Sequence, residues 1–105
     1  MKKLIALYQT PDDADAFMEH YRSKHMPLVE RIPGLLRTEI TRIGRTLVGV
    51  PGNFLLAEMY FEDDAFKAAM TSSENAATGR DLGLFADGLV TVMTGDVIEV
   101  SEGGV

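Results

Sequence analysis

Two histidines, His20 and His25, carry the groups whose ordinary pKa of about 6.5 suits proton transfer near neutrality. His25 falls near the end of a helical stretch, on the face that also presents Tyr21 and Met18. There it either exchanges protons with a ligand or caps the last carbonyls of the helix. His20 stands five residues earlier, about 140° away around an α-helix, so the two rings point apart and His20 reads as a surface side chain. A two-histidine metal site on one helix wants a spacing of three or four, so no metal is expected.

Glu58 and Tyr60 alternate along an apolar strand and share a face. A carboxylate there would hold a histidine tautomer or act as a base of raised pKa, and a tyrosine would bind an oxyanion. The simpler and preferred reading pairs Glu58 with Arg37 or Arg42 at a subunit interface. Tyr8, closing the first strand, and Tyr21 are candidate pocket hydroxyls. Met18, Met59 and Met93 are core filler or the lining of an apolar pocket. The catalytic candidates are therefore His25, Tyr21 and Glu58, and the substrate-binding candidates Tyr8, Met18 and Tyr60. The glycine-bearing segment 44–53 lacks a phosphate-loop pattern, and no dinucleotide fingerprint follows a strand. No cofactor is expected.

These side chains need elements to place them. Lys3–Tyr8 is a short apolar run closed by a turn signal, a buried strand. Thr10-Pro11-Asp12-Asp13 offers an N-cap hydroxyl and a proline at the first helical position, so a helix is expected from Pro11, ending or bending near His25 because Pro27 disfavours helix at Met26. Leu28–Ile32 can add a turn before the break at Pro33-Gly34. Leu35–Ile43 suits a strand with one wet face, and 44–53 a long hairpin loop whose Leu47, Val48 and Val50 are more apolar than solvent requires. Phe54–Glu62 places Leu55, Ala57, Met59 and Phe61 on a core face, with Phe54, Leu56, Glu58 and Tyr60 opposite. Asp63-Asp64 caps a short helix through Met70, and Ser72-Ser73 caps a segment to about Phe85 that Gly79 and Gly83 weaken. Leu89–Val100 is β-rich with a bulge or bend expected at Gly95-Asp96, and Ser101–Val105 reads as a tail.

The order strand, helix, strand, strand, helix, strand is the split βαβ plan: an α+β, ferredoxin-like sandwich with a four-stranded antiparallel sheet. One sheet face is left without helices, and Phe54, Leu56 and Tyr60 make it too apolar for water. A second copy of the sheet is the expected cover, giving a homodimer.

At 105 residues and 11.5 kDa the chain is one domain, residues 1–105, and its moderate burial favours subunit association. Ten Lys and Arg against sixteen Asp and Glu give a net charge of −6, so neither nucleic acid nor an anionic membrane is an expected partner. The absence of cysteine removes thiolate catalysis and disulfides and leaves the cytoplasm as the expected location. The apolar run after Met1-Lys2-Lys3 is too short for a secretory signal, and no stretch approaches the roughly 20 apolar residues of a membrane span.

The opening strand Lys3–Tyr8, the segment Phe17–Leu28 with its Tyr-x-x-x-His-x-Pro-Leu element at Tyr21–Leu28, Pro33-Gly34-Leu35, Leu56–Phe61 and Phe85-Ala86-Asp87 together resemble the EthD family. The resemblance covers nearly the whole chain. It implies a dimeric α+β barrel, with ferredoxin-like monomers paired through their sheets, and gives His25 the position of the family histidine. It also implies a small-molecule enzyme working without a cofactor on a small apolar oxygenated or aromatic metabolite. Monooxygenase-type oxidoreductase chemistry then stands slightly ahead of isomerisation or dehydration. The alternatives are a non-catalytic binding or carrier homodimer serving a degradation pathway, and a haem-handling protein with His25 as axial ligand.

Overall fold

A computed structural model of the chain describes residues 1–104. The strands are β1 (Lys2–Gln9), β2 (Arg37–Arg42), β3 (Asn53–Phe61) and β4 (Val90–Asp96), and the helices α1 (Ala14–His20), α2 (Met26–Val29), α3 (Phe66–Met70) and α4 (Ser73–Phe85). A π turn, Tyr21–His25, joins α1 to α2, and a 3₁₀ turn, Asp63–Ala65, leads into α3. The sheet order is β2-β3-β1-β4 with every neighbour antiparallel, which is the ferredoxin-like arrangement expected from the element order.

Strand alternation divides the sheet into two faces. Leu4, Ala6 and Tyr8 of β1 pair with Met59, Ala57 and Leu55 of β3 and form the floor of the core under the helices. On the opposite face Lys3, Ile5 and Leu7 stand beside Tyr60, Glu58 and Leu56, with Met93 of β4 next to Ile5.

Phe54 does not join that outer face as its parity predicts. Register shifts between Tyr8 and Gln9, which pair with Leu55 and Asn53, so Phe54 is the unpaired extra residue of a bulge. It is buried among the helices, its ring 5.5 Å from that of Phe17. Of the bulge or bend expected at Gly95-Asp96, no bulge forms: Gly95 pairs regularly with Lys3, and β4 stops at Asp96 rather than Val100.

The first helix starts later than predicted, at Ala14, because Asp13 takes the N-cap and accepts a hydrogen bond from the Ala16 N–H. Thr10, the expected cap, instead donates from both its N–H and its hydroxyl to the Gly52 carbonyl, tying the end of β1 to the loop before β3. Of the end or bend expected near His25, the structure shows no end but a change of helical geometry. Pro27 has no N–H for the Ser23 carbonyl, and in a straight α-helix its ring would strike that carbonyl. The chain widens by one residue instead: the Met26 N–H bonds to the Tyr21 carbonyl, five residues back, and α2 continues to Val29.

Pro33-Gly34 forms the turn away from α2. Gly34 sits at φ +80°, and a Cβ there would lie 3.2 Å from the Ala65 Cβ, so both backbone conformation and space demand glycine. The second strand is shorter than Leu35–Ile43, and in the loop that follows Leu47, Val48 and Val50 are exposed. Ser101–Gly104 form no regular structure; Val105, the end of the expected tail, lies outside the described residues.

Candidate active site

Helix α4 carries two glycines, yet it forms because its cap and its packing stripe are both sound. Ser72 accepts from the Asn75 N–H, and Thr78, Asp81, Leu82 and Phe85 fall at helical spacing on the face turned to the core. Asp81 is the anomaly on that stripe, a carboxylate only 7% exposed. A buried carboxylate needs partners, and it has two.

Oδ2 of Asp81 lies 2.8 Å from Nδ1 of His25, while Oδ1 and Oδ2 lie 3.0 and 3.1 Å from Nε2 of His20. An ionised carboxylate only accepts, so these two ring nitrogens carry the protons. The π turn makes this geometry: closing its hydrogen bond over five residues brings the fifth side chain round toward the first, so His20 and His25 meet on one carboxylate instead of diverging. Phe85 seats both rings, its centroid 4.5 Å from His20 and 5.0 Å from His25. Among the described residues no three His, Cys, Asp or Glu side chains are arranged to hold a metal ion.

His25 is 4% exposed, and that burial draws its pKa below the ordinary imidazole value; Asp81 pulls the other way and His20 adds to the lowering. With its proton on Nδ1, Nε2 presents a lone pair. Among the described residues that nitrogen has no hydrogen-bond partner, and the ring lines a cavity of about 30 Å³ between the sheet and the helices. Tyr8, Tyr21 and Thr78 bring hydroxyls to the same cavity, and the rest of its wall, including Ala6, Ala57 and Met59, is apolar. The Tyr8 hydroxyl is fully buried without a well-formed hydrogen bond among the described residues. Burial raises the pKa of both phenols, Tyr21 to about 12, so both are neutral donors at physiological pH.

Three of the residues singled out from the sequence, His25, Tyr21 and Tyr8, thus share one cavity. Met18 borders an adjoining cleft of about 270 Å³, and Tyr21 is the wall common to both spaces. Glu58 and Tyr60 lie on the other side of the sheet. Glu58 pairs with neither Arg37 nor Arg42; it accepts from Lys3 Nζ at 2.7 Å and holds that ammonium above its usual pKa. Tyr60 donates to Glu39 at 2.6 Å, under the guanidinium of Arg37. The three methionines separate too: Met59 reaches the cavity, Met18 the cleft, and Met93 the outer face. Asp81 was not among the sequence candidates. Its signal was a carboxylate at a core position, three residues after Thr78 and four before Phe85.

An EthD domain matches residues 10–89. An uncharacterised 11.0 kDa protein of Rhodococcus erythropolis, from the thcB–thcC intergenic region, is 36% identical over 97 residues, covering 91% of this chain and 94% of its own. The crystal structure of an EthD family protein from Bacillus halodurans superposes with a TM-score of 0.85 at 41% identity, over 93% of this chain and 99% of that one. The fold is shared more widely. SnoaB from Streptomyces nogalater, a cofactor-independent oxygenase, gives a TM-score of 0.64 at 11% identity over 94% of each chain. A dimeric ferredoxin-like protein of unknown function from Thermobifida fusca gives 0.62 at 14% identity, over 91% of this chain and 90% of that one. The extent and identity of the first matches, and the sequence element that contains His25, establish that the chain belongs to the EthD family.

Proposed function

We propose that this protein is a cofactor-independent acid–base catalyst for a small, largely apolar oxygenated or aromatic metabolite, with His25 as the base. The carrying observation is the pairing of His25 Nδ1 with buried Asp81, which leaves Nε2 unprotonated at an apolar cavity. Asp81 is a positioning residue: it fixes the tautomer and stabilises the imidazolium that forms when Nε2 takes a proton. Tyr8 and Tyr21 are neutral donors for the enolate or phenolate left behind.

Removal of a proton from a carbon or hydroxyl is the opening step common to oxygenation by O₂, isomerisation and dehydration. The oxygenase named among the structural relatives puts oxygenation slightly first. Glu58 and Tyr60, across the sheet from His25, have no part in this step. The test is a screen of quinols, lactones and polyketide-like aromatics with the wild-type protein and His25→Ala. Turnover that His25→Ala abolishes supports the proposal. Saturable binding with no turnover favours a second reading, a non-catalytic carrier. That reading draws on the adjoining cleft of about 270 Å³ lined by Met18, Met26, Ile40 and Leu55, which can hold a ligand without its reaching His25.

The homodimer belongs to the same proposal. Ile5, Leu7, Leu56 and Met93 form an apolar patch on the face of the sheet that bears no helices, flanked by the Lys3–Glu58 and Tyr60–Glu39 pairs. A second sheet laid on it would be expected to bury more than about 1,000 Å² in total. Sedimentation equilibrium at micromolar concentration distinguishes the dimer from an 11.5 kDa monomer.

A further inference from the structure

The cleft of about 270 Å³ beside the His25 cavity has a composition that the acid–base proposal leaves unexplained. Its apolar lining comes from Met18, Met26, Ile40 and Leu55, and Tyr21 separates it from the smaller cavity. Its charged lining is entirely cationic: Arg22 from the π turn and Arg42 from the end of β2, with no acidic side chain. In a chain of net charge −6, two guanidiniums without a carboxylate beside them are a local reversal of sign. Neither forms an ion pair among the described residues. Arg42 is nonetheless held in place, its guanidinium carbon 4.1 Å from the centroid of the Phe54 ring. The bulge that turns Phe54 inward therefore also positions this arginine.

We propose that this cleft binds the carboxylate of a small apolar acid, with Arg22 and Arg42 receiving the anionic group and the methionines, Ile40 and Leu55 receiving one or two rings or a short branched chain. A guanidinium presents a planar fork of donors matched to a carboxylate, and the apolar wall beside it takes the hydrocarbon part of the ligand out of water. The volume fits: an apolar cavity of about 150 Å³ accommodates benzene, so about 270 Å³ suits one to two rings. The proposal deepens the reading of the site, and rests on it only for the direction in which the ligand extends, past Tyr21 toward His25. The substrate class it names is a hydrophobic carboxylic acid, rather than a neutral quinol or lactone.

The test uses the full chain at physiological ionic strength, with benzoate and 2-naphthoate as probes and benzamide and 2-naphthamide as neutral isosteres. Affinity is read by calorimetry and location by NMR of ¹³C-labelled methionine methyls. The expected result is saturable binding of at least one carboxylate, with shifts at Met18 and Met26, and about tenfold or weaker binding of its amide. Arg22→Gln with Arg42→Gln should lower the carboxylate to the level of its amide. Both arginines are exposed, so the thermal midpoint of the double variant should stay near that of the wild type. Equal affinity for acid and amide, binding of neither carboxylate, or shifts confined to other methionines overturns the proposal. His25→Asn separates the two readings: carboxylate affinity unchanged in that variant leaves the cleft standing even if no substrate is ever turned over. Conversely, catalysis that depends on His25, on a protein indifferent to carboxylates, leaves the base standing and removes the cleft.

Discussion

Nδ1 of His25 lies 2.8 Å from Oδ2 of Asp81, across the seam between the π turn and α4, with both side chains buried. A buried carboxylate beside a buried imidazole fixes which ring nitrogen is protonated, and so makes the other the basic one. His20, about one-third exposed, holds the second lobe of the same carboxylate and lies toward solvent. Asp81 thus links a ring inside the fold to one at its surface.

His25→Ala should lower turnover by about 10²-fold or more, the usual scale of general acid–base catalysis, without unfolding the protein. Asp81→Asn should keep the shape but lose the charge that stabilises the imidazolium, lowering kcat by about tenfold or more with little change in KM. Steady-state kinetics on a substrate found in the screen, with circular dichroism of each variant, checks both. Unchanged kcat in His25→Ala would remove its catalytic role.

The depressed pKa of His25 has a consequence for stability. Because the folded protein holds this ring below its unfolded value near 6.5, the unfolded chain binds more protons as pH falls, and stability is lost on acidification from about pH 7 downward. One such group contributes at most about 1.4 kcal/mol per pH unit. Urea denaturation at pH 7, 6 and 5 should show the decline, and His25→Asn should make it shallower. A slope that the variant leaves unchanged would assign the acid sensitivity elsewhere.

Tyr8 buries a full ring in the aromatic cluster with Phe17 and Tyr21, while its hydroxyl makes no well-formed hydrogen bond among the described residues. Tyr8→Phe should accordingly be neutral or stabilise by up to about 1 kcal/mol, whereas Tyr8→Ala should destabilise by about 3–5 kcal/mol. Thermal denaturation decides. Loss of activity in a fully stable Tyr8→Phe would mark the hydroxyl as a ligand to substrate.

The π turn, attributed above to Pro27, can be tested by a cycle. Deleting exposed Ser23 removes the extra residue and would restore α-helical closure, but places the Pro27 ring against the Arg22 carbonyl, at a cost of about 3 kcal/mol. Combining the deletion with Pro27→Ala should recover most of that loss. Equal urea midpoints for the deletion with and without Pro27→Ala would mean that proline is not the cause.

The path from sequence to site explains what was legible. Strand order and the face formed by Leu55, Ala57, Met59 and Phe61 follow from period-two alternation, which one bulge at Tyr8/Gln9 disturbs only at Phe54. Helical spacing puts Tyr21 and His25 on one face and so associates them in the sequence; Tyr8 reads there only as a separate pocket hydroxyl, and Glu58, grouped with His25 and Tyr21, lies across the sheet. The pairing of His20 with His25 was not legible, because a spacing of five diverges in an α-helix and converges only in a π turn. Pro27 was the clue to that turn, and it reads more simply as a helix end. Asp81 is not legible because its partners His25 and His20 lie 56 and 61 residues away in the chain, and only the fold brings them to it.

The central claim, a neutral His25 whose free lone pair faces the cavity, is tested most directly by the tautomer of its ring at neutral pH. Long-range ¹⁵N–¹H NMR of histidine-labelled protein separates a protonated from an unprotonated ring nitrogen without need of a substrate. His25 at pH 7 is expected to carry its proton on Nδ1 with Nε2 bare, and Asp81→Asn to release the ring to a mixture of tautomers. A His25 found protonated on Nε2, or as the imidazolium at pH 7, would contradict it.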